Sequence, residues 1–197
     1  MREVELKAVV DDLRERRRAV EAAGGNIVFA GRLEDHRYDT ADRDLAAKDI
    51  VLRLRIYHGA EKVTVHLDWK GRTEQVDGFK VREERSVDVN DPQMLASILD
   101  GLGYVVTREI DREIVQYDLQ GTMIRFEKYP RMDTLVEVEG TPEGIEAGIV
   151  ALGISRDQFT TERLPDFVRG YEMRTGQRAA LCQRELAGDY RYSVRDA

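Results

Sequence analysis

The chain contains a single cysteine and no long apolar run among its 197 residues. Cys182 cannot form an internal disulfide, and no CxxC or Cys/His spacing indicates a zinc site. No segment approaches the roughly 20 consecutive apolar residues of a membrane-spanning helix. The first residues also lack the basic-then-apolar order of a secretory signal. We therefore expect a soluble, cytoplasmic protein with no membrane partner.

Acidic residues outnumber basic ones, because the chain has 38 Asp and Glu but only 31 Lys and Arg, which gives a formal net charge of −7. Proteins that bind nucleic acid usually carry a basic footprint, so we expect no nucleic-acid partner. His36, His58 and His66 fit no metal-binding spacing, which favours structural or surface roles for them. The sequence nevertheless contains local clusters of basic residues, so the net charge does not exclude binding of a small anionic ligand.

The most informative feature is charge at alternate positions of strand-like segments. Glu3, Glu5 and Lys7 alternate with the apolar Val4 and Leu6, and alternate residues of a β-strand share one face. The same pattern returns as Arg53-x-Arg55, Lys80-x-Arg82-x-Glu84, Arg108-x-x-x-Arg112, Arg125-x-Glu127 and Glu137-x-Glu139. One charged surface could collect all of these side chains.

Strand-like and helical segments alternate in a way typical of the α+β class. Three strand-like segments each lead into a helix that stops at glycine, with helices predicted at 12–23, after the Asp91-Pro92 cap, and after Thr141-Pro142. A capping box at Ser155 predicts a last helix near residues 158–169, which Pro165 could interrupt. Further strand candidates with short links lie at 50–57, 62–70, 78–86, 113–119 and 122–128.

About eight strands result, which is enough to close a small barrel. We expect one domain over residues 1–186 and a loosely ordered tail over 187–197. In an open antiparallel sheet the charged face would point to water. If the sheet closes, the charges line a lumen, where desolvation costs several kcal/mol per ion unless each is paired or liganded. Arginine and lysine would then suit phosphates, and the carboxylates would suit Mg²⁺ or Mn²⁺.

These residues carry a family resemblance. Glu3-Val4-Glu5-Leu6-Lys7 resembles the ExExK signature of the CYTH superfamily, the triphosphate tunnel metalloenzymes, which include class IV adenylyl cyclases, thiamine triphosphatases and inorganic triphosphatases. The resemblance covers about residues 1–153, and residues 35–55 look closest to the class IV cyclase-like subgroup. It continues through Tyr38-Asp39-Thr40, Asp42-x-x-Leu45, Leu52-Arg53-Leu54-Arg55, Lys70-Gly71, Arg82-x-Glu84, Arg112 with Tyr117, and Glu137-Val138-Glu139.

The resemblance implies a closed eight-stranded antiparallel β-barrel, open as a tunnel, with helices packed outside and a triphosphate in the lumen. By position, the carboxylates would hold Mg²⁺ or Mn²⁺ and the cations would hold phosphates, with Lys7, Glu5 and Glu127 in catalytic roles. The implied metal ligands are Glu3, Glu5, Glu84, Glu137 and Glu139, and the implied phosphate ligands are Lys7, Arg53, Arg55, Lys70, Arg82, Arg108 and Arg112. For Glu84 the alternative is an ion pair with an arginine.

Two positions depart from the family pattern. Ile110 stands where the family often has lysine, so Arg108 could substitute for it, and Glu127 stands where aspartate is common. The implied function is that of a metal-dependent, class IV adenylyl cyclase-like enzyme that converts ATP to cyclic AMP and pyrophosphate. The alternatives are a triphosphatase acting on inorganic, thiamine or nucleoside triphosphate, and a non-catalytic polyphosphate or nucleotide binding module. An enzyme that processes the 5′-triphosphate of RNA is the least favoured function. We expect a possible homodimer only because dimers are the commonest protein oligomers.

Overall fold

The computed structural model describes residues 2–189, and for residues 2 and 3 the description is limited to the backbone. Nine antiparallel strands form one sheet within this range. They are β1 (Arg2–Val9), β2 (Asn26–Thr40), β3 (Val51–His58), β4 (Val63–Lys70), β5 (Glu74–Val76), β6 (Phe79–Asp88), β7 (Tyr104–Leu119), β8 (Thr122–Lys128) and β9 (Leu135–Glu139). Most of the predicted tail, residues 190–197, lies outside the described residues.

Eight of the strands close into a barrel. Around the ring they follow the order β1-β9-β8-β7-β2-β3-β4-β6, and β6 pairs back with β1. The short β5 pairs with β6 beside the ring. The predicted α+β fold with a closed eight-stranded antiparallel barrel is confirmed, and β5 is an additional strand.

The register of the strands decides which side chains point inward. Lys7 on β1 lies opposite Glu137 on β9, and both face the lumen. Their neighbours Leu6 and Val138 also lie opposite each other, face outward, and are only 1% and 0% exposed. The barrel is therefore charged on the inside, and its apolar outer face must be covered by helices.

Helices cover this outer face. α1 and α4 pack on the outer side of β1, β8 and β9 through Val20, Ile145 and Ile149. α3 covers β2 and β3 through Leu95 and Leu99. None of the helices within residues 2–189 is long and apolar enough to cross a membrane. The helices are α1 (Leu13–Ala22), α2 (Asp44–Ala47), α3 (Pro92–Gly101), α4 (Pro142–Leu152), α5 (Leu164–Thr175) and α6 (Gln183–Ala187).

The last long helix begins later than the sequence predicts. Residues 156–158 form only a short 3₁₀ turn, the Ser155 side chain makes no capping hydrogen bond, and α5 starts at Leu164. The reason is Pro165, which has no N–H to donate and therefore fits the first turn of a helix rather than its interior. α5 packs through Phe167 and Val168 against the lumen-facing Ile110 and Leu135, so it closes off part of the barrel interior.

Candidate active site

A large cavity occupies the lumen and opens between α2 and the first turn of α5. It encloses about 1120 Å³ of space, counting the part open to solvent. Eleven cationic side chains line it against six acidic ones, in a chain whose net charge is −7. We call this cavity the cationic chamber. Its cations are Lys7, Arg37, Arg43, Arg53, Arg55, Lys70, Lys80, Arg82, Arg112, Arg125 and Arg163, and its acids are Glu5, Asp35, Asp39, Asp49, Glu127 and Glu137.

Two buried carboxylates converge on one ammonium group. Lys7 Nζ lies 2.9 Å from Glu5 Oε1 and also contacts Glu137. Lys80 lies opposite Glu5 on β6 and contacts the same oxygen, while Arg125 contacts Glu137. Burial alone would raise the pKa of Glu137, but Arg125 and Lys7 hold it well below its ordinary value. Both carboxylates are therefore placed to bind a cation.

Glu127 is the centre of a second group of contacts. Its Oε1 accepts hydrogen bonds of 3.1 Å from both Arg112 Nε and Arg125 Nε, and its Oε2 accepts one of 2.6 Å from the Tyr129 hydroxyl. Burial acts to raise the pKa of Glu127, but the two arginines lower it to about 2. Glu127 is thus an ionised anchor for the arginines and a weak proton acceptor.

Asp35, on β2, binds Arg112 and a further arginine, Arg55. Its carboxylate accepts from Arg55 Nε at 2.7 Å and from Arg112 Nη1 at 2.9 Å. Burial would raise the pKa of Asp35, but Arg55 and Arg112 hold it well below its ordinary value. Asp68 binds Arg53 in a similar way and accepts a hydrogen bond of 2.8 Å from Arg53 Nε.

The sequence reasoning did not select several lumen residues. Asp35 and Asp68 each stand two residues before a cation, Arg37 and Lys70, and so fit the alternating pattern that identified the other lumen side chains. Applying the two-residue period to every strand would have found them. The missed residues are Asp35, Arg37, Asp68 and Tyr129. Lys80 and Arg125 belong to the predicted charged surface, but no role was predicted for them.

Arg37 lies close to other arginines in the lumen. Its Nε is buried and has no hydrogen-bond partner within residues 2–189. Burial together with the neighbouring Arg108 and Arg53 lowers the pKa of Arg37 to about 9. Because like charges repel, this part of the lumen would be stabilised by an added anion.

The rim of the cationic chamber is lined in part by Arg82, Asp49 and Arg163. Arg82 donates to the Gly71 carbonyl at 2.8 Å through Nε and to the Asp49 carbonyl at 2.9 Å through Nη2. Arg163, just before α5, donates to Asp49 Oδ1 at 2.9 Å. Arg82 is therefore held in place by backbone oxygens and still borders the cavity.

The predicted metal ligands do not all meet. Among the residues whose side chains are described, no three Asp, Glu, His or Cys side chains form a group able to hold a metal ion. Glu5 and Glu137 converge as predicted, and the Glu3 side chain lies outside the described part. Glu84 and Glu139 instead line a second opening of the barrel, where Glu84 accepts from Lys70 at 3.2 Å. Glu139 lies opposite Glu5 in the strand register but lines the second opening rather than the cationic chamber.

All of the predicted phosphate ligands except Arg108 line the cationic chamber. Arg53, Arg55, Lys70 and Arg112 line the cationic chamber with Lys7 and Arg82. Arg108 is almost fully buried, at 1% exposure, and lies beside Arg37. It occupies the same inward-facing row of β7 as Ile110 and Arg112, two and four residues further on, as alternation requires.

Other conspicuous side chains lie away from the cationic chamber. His36 and His58 lie on the outer face, where they contact Glu34 at 2.9 and 3.0 Å. Trp69 is also on the outer face and carries the Arg85 guanidinium over its ring at 5.1 Å. These positions give neither His36, His58 nor Trp69 access to a ligand in the cationic chamber.

The sequence model of the CYTH domain family matches residues 1–141 of the chain. A comparison with curated proteins found no match. Among solved structures, a candidate adenylate cyclase from Vibrio parahaemolyticus aligns with a TM-score of 0.72 and 17% identity, covering 85% of this chain and 97% of that one.

Two further solved structures have the same architecture. A protein from Pyrococcus horikoshii aligns with a TM-score of 0.70 and 22% identity over 89% of this chain and 99% of its own. A candidate adenylyl cyclase from Hippeastrum, described as having a dominant triphosphatase activity, aligns with a TM-score of 0.59 and 17% identity over 91% of this chain and 98% of its own. At these identities the likeness establishes the fold.

Proposed function

Because the chain belongs to the CYTH domain family, we propose that it is a divalent-metal-dependent enzyme acting on a triphosphate held in the barrel lumen. One observation carries this proposal: the cationic chamber has eleven cations against six acids. An excess of five positive charges in a closed space suits a compact polyanion, and a triphosphate is such an ion.

The arginines supply the phosphate-binding groups. Arg53, Arg55 and Arg112 project from two walls of the lumen, and a guanidinium can bind phosphate oxygens through two parallel hydrogen bonds. Lys70 and Lys7 would add point charges. Arg37 supports the same conclusion, because it lines the cationic chamber, its buried Nε has no hydrogen-bond partner within residues 2–189, and the nearby Arg108 and Arg53 repel it.

Glu5 and Glu137 fit a hard divalent cation, because their carboxylates already surround the Lys7 ammonium. They would hold Mg²⁺ or Mn²⁺ together with Glu3. Such an ion, when bound, would neutralise charge on the phosphates and polarise the phosphorus that is attacked. Lys7 would then be released from the two carboxylates to bind a phosphate oxygen.

The protein's own part in the reaction is positioning and charge neutralisation, as is usual for phosphoryl transfer. Glu127 would keep Arg112 and Arg125 aligned, since all three of its described hydrogen bonds hold it in the ionised form. Attack of a ribose 3′-hydroxyl on the α-phosphorus would release pyrophosphate, as in an adenylyl cyclase. Attack of water on the terminal phosphorus would release orthophosphate, as in a triphosphatase.

The test is a product assay by phosphorus NMR with ATP, thiamine triphosphate and inorganic triphosphate, each with Mg²⁺ or Mn²⁺. Cyclic AMP with pyrophosphate would identify a cyclase, and orthophosphate a triphosphatase. Glu5→Gln should lose activity, whereas Glu146→Gln, which changes a carboxylate paired with Arg156 on the outer surface, should retain it. Metal-dependent binding without product would indicate a binding module, and no binding of any triphosphate would refute the proposal.

A further inference from the structure

Two backbone carbonyls hold the guanidinium of Arg82 at the rim of the cationic chamber. Arg82 Nε donates to the Gly71 carbonyl at 2.8 Å, and Arg82 Nη2 donates to the Asp49 carbonyl at 2.9 Å. Gly71 is itself held by its N–H, which donates to the Glu83 carbonyl on β6 at 2.9 Å. Asp49 lies in the link between α2 and β3. The position of its carbonyl therefore depends on the conformation of that link.

The backbone of Asp49 has an unusual conformation. Its φ angle is +55°, in the left-handed region. Residues other than glycine rarely adopt this region, although aspartate and asparagine tolerate it better than most. Such a conformation persists only where the surrounding contacts hold it. The side chain of Asp49 supplies contacts of this kind.

The Asp49 carboxylate ties the α2–β3 link to two other segments. Its Oδ2 accepts a hydrogen bond of 2.7 Å from the Thr73 N–H, in the link between β4 and β5, and its Oδ1 accepts one of 2.9 Å from Arg163 Nη1, just before α5. Burial would raise the pKa of Asp49, but the Thr73 N–H together with Arg82 and Arg163 keeps it below its ordinary value. The carboxylate is therefore ionised at neutral pH and holds the link through both of its oxygens.

We propose that Asp49 is a positioning residue for triphosphate binding, because its carboxylate holds its own backbone carbonyl against Arg82 and so fixes the Arg82 guanidinium at the rim of the cationic chamber. This inference rests on the proposed function and on the predicted role of Arg82 as a phosphate ligand. Asp49 also borders the cationic chamber, but a carboxylate repels phosphate, so its contribution comes through Arg82. A guanidinium that is already oriented loses less freedom when phosphate binds.

The test is a titration by calorimetry with a non-hydrolysable imido analogue of inorganic triphosphate in the presence of Mg²⁺. Asp49→Ala should weaken binding by about fivefold or more, because Arg82 would lose part of a charge-assisted contact with phosphate. Asp49→Asn should bind at least as tightly as the wild type, since asparagine tolerates the left-handed conformation and keeps an acceptor for the Thr73 N–H.

The matched control is Asp77→Ala. Asp77 is exposed, lies in the turn between β5 and β6, and has a φ angle of +52°. Alanine is strained in this region, so Asp77→Ala should lose stability as Asp49→Ala does. It should leave the affinity for the triphosphate analogue unchanged.

A double-mutant cycle tests whether Asp49 acts through Arg82. Asp49→Ala should not weaken binding further in an Arg82→Met protein, because the group that Asp49 positions is gone. Equal losses of affinity in the two backgrounds would show that Asp49 acts independently of Arg82 and would overturn the inference. Wild-type affinity in Asp49→Ala would overturn it too.

A second readout is hydrogen exchange of the Arg82 Nε–H, followed by NMR in the ligand-free protein and assigned by its loss in Arg82→Met. Exchange should be faster in Asp49→Ala than in the wild type, and Asp77→Ala should not change it. Unchanged exchange in Asp49→Ala would overturn the inference and leave the proposed function standing. Failure of the wild-type protein to bind any triphosphate would instead refute the proposed function, and the exchange measurement, which needs no ligand, distinguishes the two failures.

Discussion

Lys7 and Glu137 lie directly opposite each other on β1 and β9, and the Lys7 ammonium contacts the Glu137 carboxylate. The same ammonium is 2.9 Å from Glu5 Oε1, so it occupies the point on which two buried carboxylates converge. A divalent cation could be held by these carboxylates only if the ammonium moved aside. Metal binding and the position of Lys7 are therefore linked.

Glu137→Gln should abolish both the binding of Mn²⁺ and metal-dependent turnover. It should also lower the free energy of unfolding, by about 3–5 kcal/mol, because Lys7 and Arg125 lose a buried partner. Mn²⁺ binding can be followed by electron paramagnetic resonance and stability by urea denaturation. Glu146→Gln is the matched control, and Mn²⁺ affinity in Glu137→Gln equal to that of the wild type would remove Glu137 from the metal site.

Arg37→Met should change ligand binding and stability in opposite directions. Without ligand, the variant should be more stable than the wild type, because it removes a cation that is repelled by Arg108 and Arg53. Its affinity for inorganic triphosphate should fall by about tenfold or more, since charge-assisted contacts to an anion contribute on the order of 1.5–3 kcal/mol. Thermal denaturation with and without triphosphate measures both effects.

Arg32→Met is the control for Arg37→Met, because Arg32 lies on the outer face of the same strand and pairs with Glu34. It should leave triphosphate affinity unchanged and should not raise stability. If Arg37→Met bound triphosphate as tightly as the wild type, Arg37 would have no part in phosphate binding.

The alternating charges predicted one shared charged face, because a two-residue period assigns a face to each side chain without knowledge of the fold, whereas closure of the sheet into a barrel was implied by the family resemblance. Lys7, Arg53 and Arg112 were found in this way and all line the cationic chamber. Strand lengths were harder to predict. β2 and β7 each continue through segments that mix polar and apolar residues, since pairing with each other along nearly their whole length keeps them extended.

The metal site was only partly predictable from sequence. Two alternating carboxylates on β1 and two on β9 predict that each strand places a pair on its inward face. They do not predict the register, that is, which residue of β1 lies opposite which residue of β9. In the barrel Glu139 lies opposite Glu5, while Glu137 lies opposite Lys7. Lys7 contacts both Glu5 and Glu137, whereas Glu139 lines the second opening.

Tyr129→Phe should destabilise the protein without changing its fold. The Tyr129 hydroxyl donates a 2.6 Å hydrogen bond to buried Glu127, and hydrogen bonds to charged groups contribute about 1.5–3 kcal/mol. Urea denaturation should show a loss of this order. The control is Tyr171→Phe on α5, which keeps the ring contact with Arg174. An unchanged unfolding midpoint in Tyr129→Phe would mean that Arg112 and Arg125 alone hold Glu127.

The outer face of the barrel should make stability depend on pH near neutrality. The hydrogen bond between His36 and Glu34 raises the pKa of His36 above its ordinary value of 6.5, and Glu109 and Asp35 act in the same direction. A raised pKa means that the folded protein holds the proton more tightly than the unfolded chain does. The resulting stabilisation is complete below about pH 6.5 and is lost as the pH rises through the raised pKa.

We therefore expect this histidine to make the free energy of unfolding fall as the pH is raised from about 6.5 towards 8. The free energy of unfolding can be measured by urea denaturation at several values across this window. His36→Gln should remove this part of the fall, whereas the control His66→Gln, which changes the histidine paired with exposed Asp88, should keep it. A fall in His36→Gln as steep as in the wild type would show that another group is responsible. Glu34 remains ionised throughout, because its hydrogen bond with His36 lowers the pKa of Glu34 to about 2, so it contributes no titration in this window.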